Sequence, residues 1–260
     1  LLLVLALALF FRLPVVVGGA GAAVTPDGAL SGIVALRVAN GSERLVFVPQ
    51  VPYSGSLKSH LTAPLALVMD PARAFALVSV LFYLAYVAGL FRLALLVAGP
   101  RAALLAGLYA AFGPAFLTRY SLSNDGNYVE VLALGTWALW LAARWTRERG
   151  SRARLAFAAG LLLGLGFWCH ILAIIHLAAL AALFGLAAVV SRRKLLGMTS
   201  LLNLSGGWAI GYAPGWLWNL ANDWESFHYL VPGAARTDEA GASGLAGAAS
   251  GLGEKLRLMV

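Results

Sequence analysis

Residues 155–190 are an almost unbroken apolar run between two basic clusters. A helix needs about 20 largely apolar residues to cross the hydrocarbon core of a bilayer, so this run is too long for one crossing. A single crossing would also put its two basic flanks on opposite sides. Two short crossings with a tight turn near Trp168-Cys169-His170 keep both clusters on the cytoplasmic side, where Lys and Arg are retained. The composition extends that reading to the whole chain. Of 260 residues, 61% are hydrophobic and 12% charged, against roughly 25% charged in ordinary globular domains. The net charge of +8 does not call for nucleic acid, because many of the basic residues sit in short runs between apolar segments, where they set orientation.

The segments expected to be helices are about 1–17, 74–92, 100–118, 128–144, 154–168, 171–190 and 197–218. The expected fold is therefore an all-α polytopic membrane protein with about seven transmembrane helices, residues 1–218 including an outer loop 18–73. Three junctions are basic: Arg92 and Arg101; Arg144, Arg147, Arg149, Arg152 and Arg154; and Arg192, Arg193 and Lys194. Placing these in the cytoplasm puts the N-terminus inside and loop 18–73 outside. Asp27, Glu43, Asp70, Asp125, Glu130, Asp223, Glu225, Asp238 and Glu239 then fall in the complementary loops. Gly160, Gly164 and Gly166 read as close helix packing. Cys169 is the sole cysteine, so no internal disulfide forms. The chain is expected to be a fragment, since it begins with Leu1 rather than Met. With no basic stretch ahead of them, residues 1–11 are expected to be a membrane anchor rather than a signal-peptide core, and 219–260 the truncated start of an outer loop or C-terminal region.

Loop 18–73 is too long to be a plain connector. Thr25-Pro26 opens a helix, with a capping hydroxyl followed by Pro at the first helical position. Ala29, Leu30, Ile33, Val34 and Leu36 form its expected apolar face, with Gly28, Ser31 and Ala35 opposite and Arg37 within the stripe. Such a helix suits the outer membrane surface. Asn40-Gly41 ends it, Pro49 and Pro52 bracket an extended stretch, and a partly polar segment, roughly 55–69, leads to Asp70-Pro71.

Asp27 lies in the first turn of that helix, where the dipole favours a carboxylate. It serves either as a helix-end acid or as a general base taking a proton from a hydroxyl. Glu130, two residues after Tyr128, faces a polar cavity or water rather than lipid, and Asn124-Asp125-Gly126 beside it is turn chemistry. His170 falls at the outer face, whereas His176 lies deeper and reads as structural. Lys58, His60 and Arg119 are cations able to bind a phosphate or to snorkel at the interface. No His-Glu-x-x-His, cysteine cluster, Asp-x-Asp pair or phosphate-cradling Gly-rich loop occurs. No cofactor is specified, and a divalent metal would have no sequence motif.

The order of these features resembles a known family. Arg12-Leu13-Pro14 closes the first helix, Pro26-Asp27 opens the loop helix, and Gly32-Ile33 and Gly41 follow. The run Gln50-Val51-Pro52-Tyr53-Ser54-Gly55-Ser56-Leu57-Lys58 comes next, then Ala63-Pro64-Leu65. Downstream lie Ser121-Leu122 through Gly126, Tyr128 and Glu130, then Gly160 to His170, and Gly211-Tyr212-Ala213-Pro214 with Asn219. Together they resemble bacterial members of the dolichyl-phosphate-mannose protein mannosyltransferase-like superfamily, which are C-type, multi-pass glycosyltransferases using polyprenyl-phosphate sugars. The resemblance implies that Asp27 is the catalytic acid of the first loop, although Gly28 stands where many members carry a second acid. Lys58 stands where relatives often carry Glu.

The expected activity is an inverting glycosyl transfer on the outer face of a bacterial cytoplasmic membrane. The donor is a polyprenyl-phosphate sugar, and the acceptor a hydroxyl of a lipid, polysaccharide or protein. Asp27 is the expected base. Glu130 positions acceptor or sugar, and Lys58, Arg119 and His170 offset the leaving phosphate. Tyr53 completes the expected substrate-binding set. A transporter or flippase of a lipid-linked substrate is the alternative, and would place ionisable residues near the bilayer midplane. A third is a non-catalytic envelope subunit with no need of an acid at position 27.

Overall fold

The computed structural model describes residues 1–18, 24–43, 45–49, 51–123, 126–148, 153–191 and 197–228. Arg149, Arg152, Arg192, Arg193 and Lys194 of the basic junctions, the turn at Asn124-Asp125, Gln50, and the acids Asp238 and Glu239 lie outside them. The chain divides into two compact units, Leu1–Trp218 and Asn219–Val260. In the second, helix α12 (Glu225–His228) follows a turn in which Asp223 and Trp224 take φ values of 47° and 60°.

Among its described residues, the regular structure of the first unit is helical apart from one two-stranded hairpin. It opens with α1 (Leu2–Phe10) and α2 (Leu13–Gly18). The break between them lies at Arg12, whose own guanidinium takes the Ala8 carbonyl while its backbone N–H shifts to Leu9. Pro14, lacking an N–H, helps to set the second start. Helix α3 (Pro26–Ala39) begins as its sequence dictates, with the Thr25 hydroxyl accepting from Gly28 N at 3.1 Å. Strands β1 (Phe47–Val48) and β2 (Val51–Gly55) pair antiparallel, Val48 opposite Val51. Helix α4 (Leu57–Ala66) completes the first long connection.

Helix α5 (Pro71–Phe112) is two arms joined at Gly99, where φ of 86° and ψ of −175° interrupt the helix before Pro100. In a straight helix Tyr83 and Ala110 would stand about 40 Å apart. Instead the Tyr83 hydroxyl donates to the Ala110 carbonyl, so the arms fold back on each other. Gly113-Pro114 ends the second arm, and α6 (Ala115–Tyr120) follows. Helices α7 (Tyr128–Arg147) and α8 (Ala153–Cys169) come next. After a 3-10 turn at Ile171–Ala173, α9 (Ile174–Ser191) returns along α8. Finally α10 (Met198–Gly211) gives way at Tyr212 to α11 (Ala213–Ala221).

Helix α7 is the central post, packing against α5, α8 and α9. Ala138, Ala142 and Trp145 meet Ala156, Ala159 and Leu163 of α8 and Leu180 and Phe184 of α9 in one buried cluster. Val129, at the other end, joins Val4, Ala8, Tyr83, Val87, Ala110 and Ala111 in a second. Helices α8 and α10 run parallel through interlocked glycines. A Cβ on Gly160 or Gly164 would stand 2.0 or 2.2 Å from the Leu204 or Trp208 carbonyl, and one on Gly207 or Gly211 would meet Phe157 or Leu161 in the same way.

The expected all-α fold is present, and among the described residues α5 alone is long and apolar enough to cross a membrane by length and composition. The breaks at Arg12, Gly113-Pro114 and Tyr212 interrupt three of the expected segments, 1–17, 100–118 and 197–218. On α3, Gly28, Val34 and Ala35 are buried, and Ser59 Oγ of α4 reaches the Ser31 carbonyl at 3.3 Å. Ile33 and Leu36 of the expected apolar face are exposed, as a face turned toward a membrane surface would be.

Candidate functional site

A cleft of about 250 Å³ opens at one end of the helical unit. Thr25, Asp27, Leu30 and Ser31 of α3 line it, with Val48, Val51, Tyr53 and Ser54 of the hairpin. Arg119 and Tyr120 of α6, the turn Gly126-Asn127-Tyr128, and His170 complete the wall. Four of the six residues singled out by sequence, Asp27, Tyr53, Arg119 and His170, thus share one cavity although spread over more than half the chain.

The Thr25 cap sets the first turn of α3, so the exposed Asp27 stands at the rim near the positive end of a helix dipole. Rings form the opposite wall. Tyr120 meets Tyr128 edge-on at 4.7 Å between centroids, and His170 stands 5.4 Å from both Tyr128 and Tyr53. The Arg119 guanidinium lies 5.5 Å from the Tyr120 ring, which places a cation beside these faces.

His170 caps the 3-10 turn: its Nδ1 accepts from Leu172 N at 3.1 Å. Burial pushes its pKa down to about 4, so the ring is neutral near pH 7. With Nδ1 accepting, the proton sits on Nε2. The expected cation is therefore corrected to a neutral hydrogen-bond donor.

Beneath the cleft Lys58 and Glu130 form an ion pair at 3.0 Å, their side chains 2% and 0% exposed. Lys58 Nζ also reaches Ser79 Oγ at 3.4 Å and the Gly126 carbonyl at 3.3 Å. Neither residue lines the cleft. Their expected contacts with substrate give way to a structural role, because each charge is already met by the other, joining α4 to α7.

Sequence reasoning missed Asn127. Its side-chain amide donates to the Gly55 carbonyl at 2.6 Å, the Cys169 carbonyl at 2.8 Å and Ser54 Oγ at 3.1 Å. One side chain thereby holds β2, the end of α8 and the start of α7 together. Around it, Ser54 and His170 form a backbone bridge, and Trp168 Nε1 donates to the Val46 carbonyl at 3.0 Å. A Cβ at Gly55 would stand 2.2 Å from the Trp168 carbonyl, so only glycine permits this approach. Nothing local in the sequence sets Asn127 apart, because the groups it serves lie 42 to 73 positions away.

Among the described residues no group of three or more His, Cys, Asp or Glu is placed to hold a metal ion. No family model, curated protein or solved structure matches this chain.

Proposed function

We propose that the protein is a membrane glycosyltransferase that moves one sugar from a polyprenyl-phosphate donor to an acceptor hydroxyl on a lipid, polysaccharide or protein. The observation that carries this reading is the single cleft that brings a carboxylate, Asp27, together with a guanidinium, Arg119, and a wall of tyrosine and histidine rings. Ring faces suit the C–H surface of a sugar, a guanidinium suits a phosphate, and a carboxylate at the rim suits removal of a proton from a hydroxyl. Donor and acceptor would meet at the outer face of a bacterial cytoplasmic membrane. The crossings in this reading are Leu2–Gly18, the arms of α5, then α7, α8, α9 and α10 with α11. Short hydrophobic segments are accommodated by local thinning of the bilayer.

In the proposed reaction the acceptor oxygen bonds to the anomeric carbon from the face opposite the phosphate, and its proton passes to Asp27. The bond from the anomeric carbon to the phosphate oxygen breaks, and the phosphate leaves with the electron pair. Arg119 offsets the developing charge and His170 Nε2–H donates to it. The test is transfer of a radiolabelled sugar from its polyprenyl phosphate in membranes carrying the protein. Asp27→Asn should lower the rate by about 10²-fold or more. Transfer at the unsubstituted rate would remove Asp27 as the base. Movement of the intact lipid across proteoliposomes without covalent transfer would replace the enzyme with a transporter.

A further inference from the structure

We infer that Arg12, remote in sequence from the cleft, is the positioning residue for its phosphate-facing wall. Arg12 is fully buried between α1 and α2. Its Nε donates to Ser121 Oγ at 2.7 Å, and Nη1 to the Ala111 and Ala8 carbonyls, each at 3.0 Å. Ala111 and Ser121 stand on either side of α6, the short helix that carries Arg119 and Tyr120 into the cleft. One guanidinium thus grips both ends of that segment and fastens them to the first helix.

The corner before α6 is built around the same group. Gly113 turns the chain with φ of +60°, and a Cβ there would lie 3.2 Å from Arg12 Nη2 and 3.0 Å from the Tyr83 hydroxyl. The guanidinium carbon sits 3.9 Å from the centre of the Tyr83 ring, and Ser121 Oγ passes the contact on to the Thr118 carbonyl at 2.7 Å. A buried charge is a weak source of stability compared with apolar packing of the same volume. What the planar fork supplies is direction, with several donors fixed at set angles. Lysine, a point charge on a flexible stem, would keep the charge but not span Ser121 and Ala111 together.

The kinetic part of this inference rests on the glycosyltransferase reading, and the geometric part does not. Spin labels at Ala115→Cys on α6 and Leu36→Cys on α3, with the buried Cys169 left in place, report the distance between the two sides of the cleft in reconstituted protein. The clamp requires one narrow distance in the parent and a broadened or shifted one in both Arg12→Lys and Ser121→Ala. An unchanged distribution in either folded variant overturns it; should Arg12→Lys fail to fold, Ser121→Ala decides. In the transfer assay Arg12→Lys should raise KM for the polyprenyl-phosphate sugar about tenfold, with kcat held within about twofold. Broadened distances with an unchanged KM overturn the link to donor binding. A parent protein that transfers nothing overturns the enzyme reading, while the distances still decide the clamp.

Discussion

Replacing Asn127 with Asp exchanges a side chain whose two amide hydrogens are shared among three oxygens for one of the same shape with no N–H to give. In the parent the amide meets the Gly55 carbonyl, the Cys169 carbonyl and Ser54 Oγ at 2.6–3.1 Å, in a position that is 6% exposed. Asn127→Ala removes the donor and leaves two carbonyls without it. At about 1–3 kcal/mol for each buried group deprived of its partner, the loss should be about 2–6 kcal/mol. Asn127→Asp suffers the same loss and also turns a carboxyl oxygen toward those carbonyls. Protonating it, or leaving it charged among acceptors, adds about 1–3 kcal/mol. The larger, more nearly isosteric substitution is thus the more harmful one. Thermal unfolding in detergent checks this through tryptophan fluorescence, with Trp168 hydrogen-bonded to the hairpin beside the clip. The expected order is parent, then Ala, then Asp. An Asp variant as stable as the Ala variant would show that Asn127 fills space rather than donates.

Removing one partner of the buried pair, by Lys58→Met or Glu130→Leu, should cost about 3–5 kcal/mol, and the double variant Lys58→Met/Glu130→Leu should recover most of it. Equilibrium denaturation of all three reads the coupling, and additive losses would argue against a pair. Gly55→Ala should destabilise by about 1–3 kcal/mol or more, because its Cβ would stand 2.2 Å from the Trp168 carbonyl and backbone has to move. A melting temperature equal to that of the parent would refute the contact. His170 has a folded pKa of about 4, below the ordinary 6.5 of the unfolded chain, so the unfolded state takes up the proton first. Its contribution is complete above pH 6.5 and is lost as pH falls toward 4, by about 3 kcal/mol in all. Stability measured across that range should slope less in His170→Gln, and parallel slopes would contradict the buried neutral ring.

Local chemistry was legible in the sequence. Thr25-Pro26 gave the start of α3, Pro49 and Pro52 marked an extended stretch that is the hairpin, and Trp168-Cys169-His170 marked the break between α8 and α9. Segment 74–92 falls on the first arm of α5, and 100–118 covers its second arm and runs on across Gly113-Pro114 into α6. What escaped depends on partners distant in the chain. Lys58 and Glu130 each looked like an isolated charge awaiting a ligand, because nothing local indicates that one neutralises the other across 72 positions. Asn127 drew no reading, since the carbonyls it serves belong to β2 and α8. His170 was placed correctly at a helix junction, but its charge follows from burial, which no single sequence pattern reports.

The glycines that interlock α8 and α10 leave those helices no neighbouring register. Sliding one past the other by a single residue would drive a side chain into a space that admits only a hydrogen atom, as the 2.0–2.2 Å approaches show. The pair therefore behaves as one stiff beam, with the His170 end of α8 as its tip. Any opening of the cleft must be borne by what faces that beam, namely α3, the hairpin and the short arch of α6.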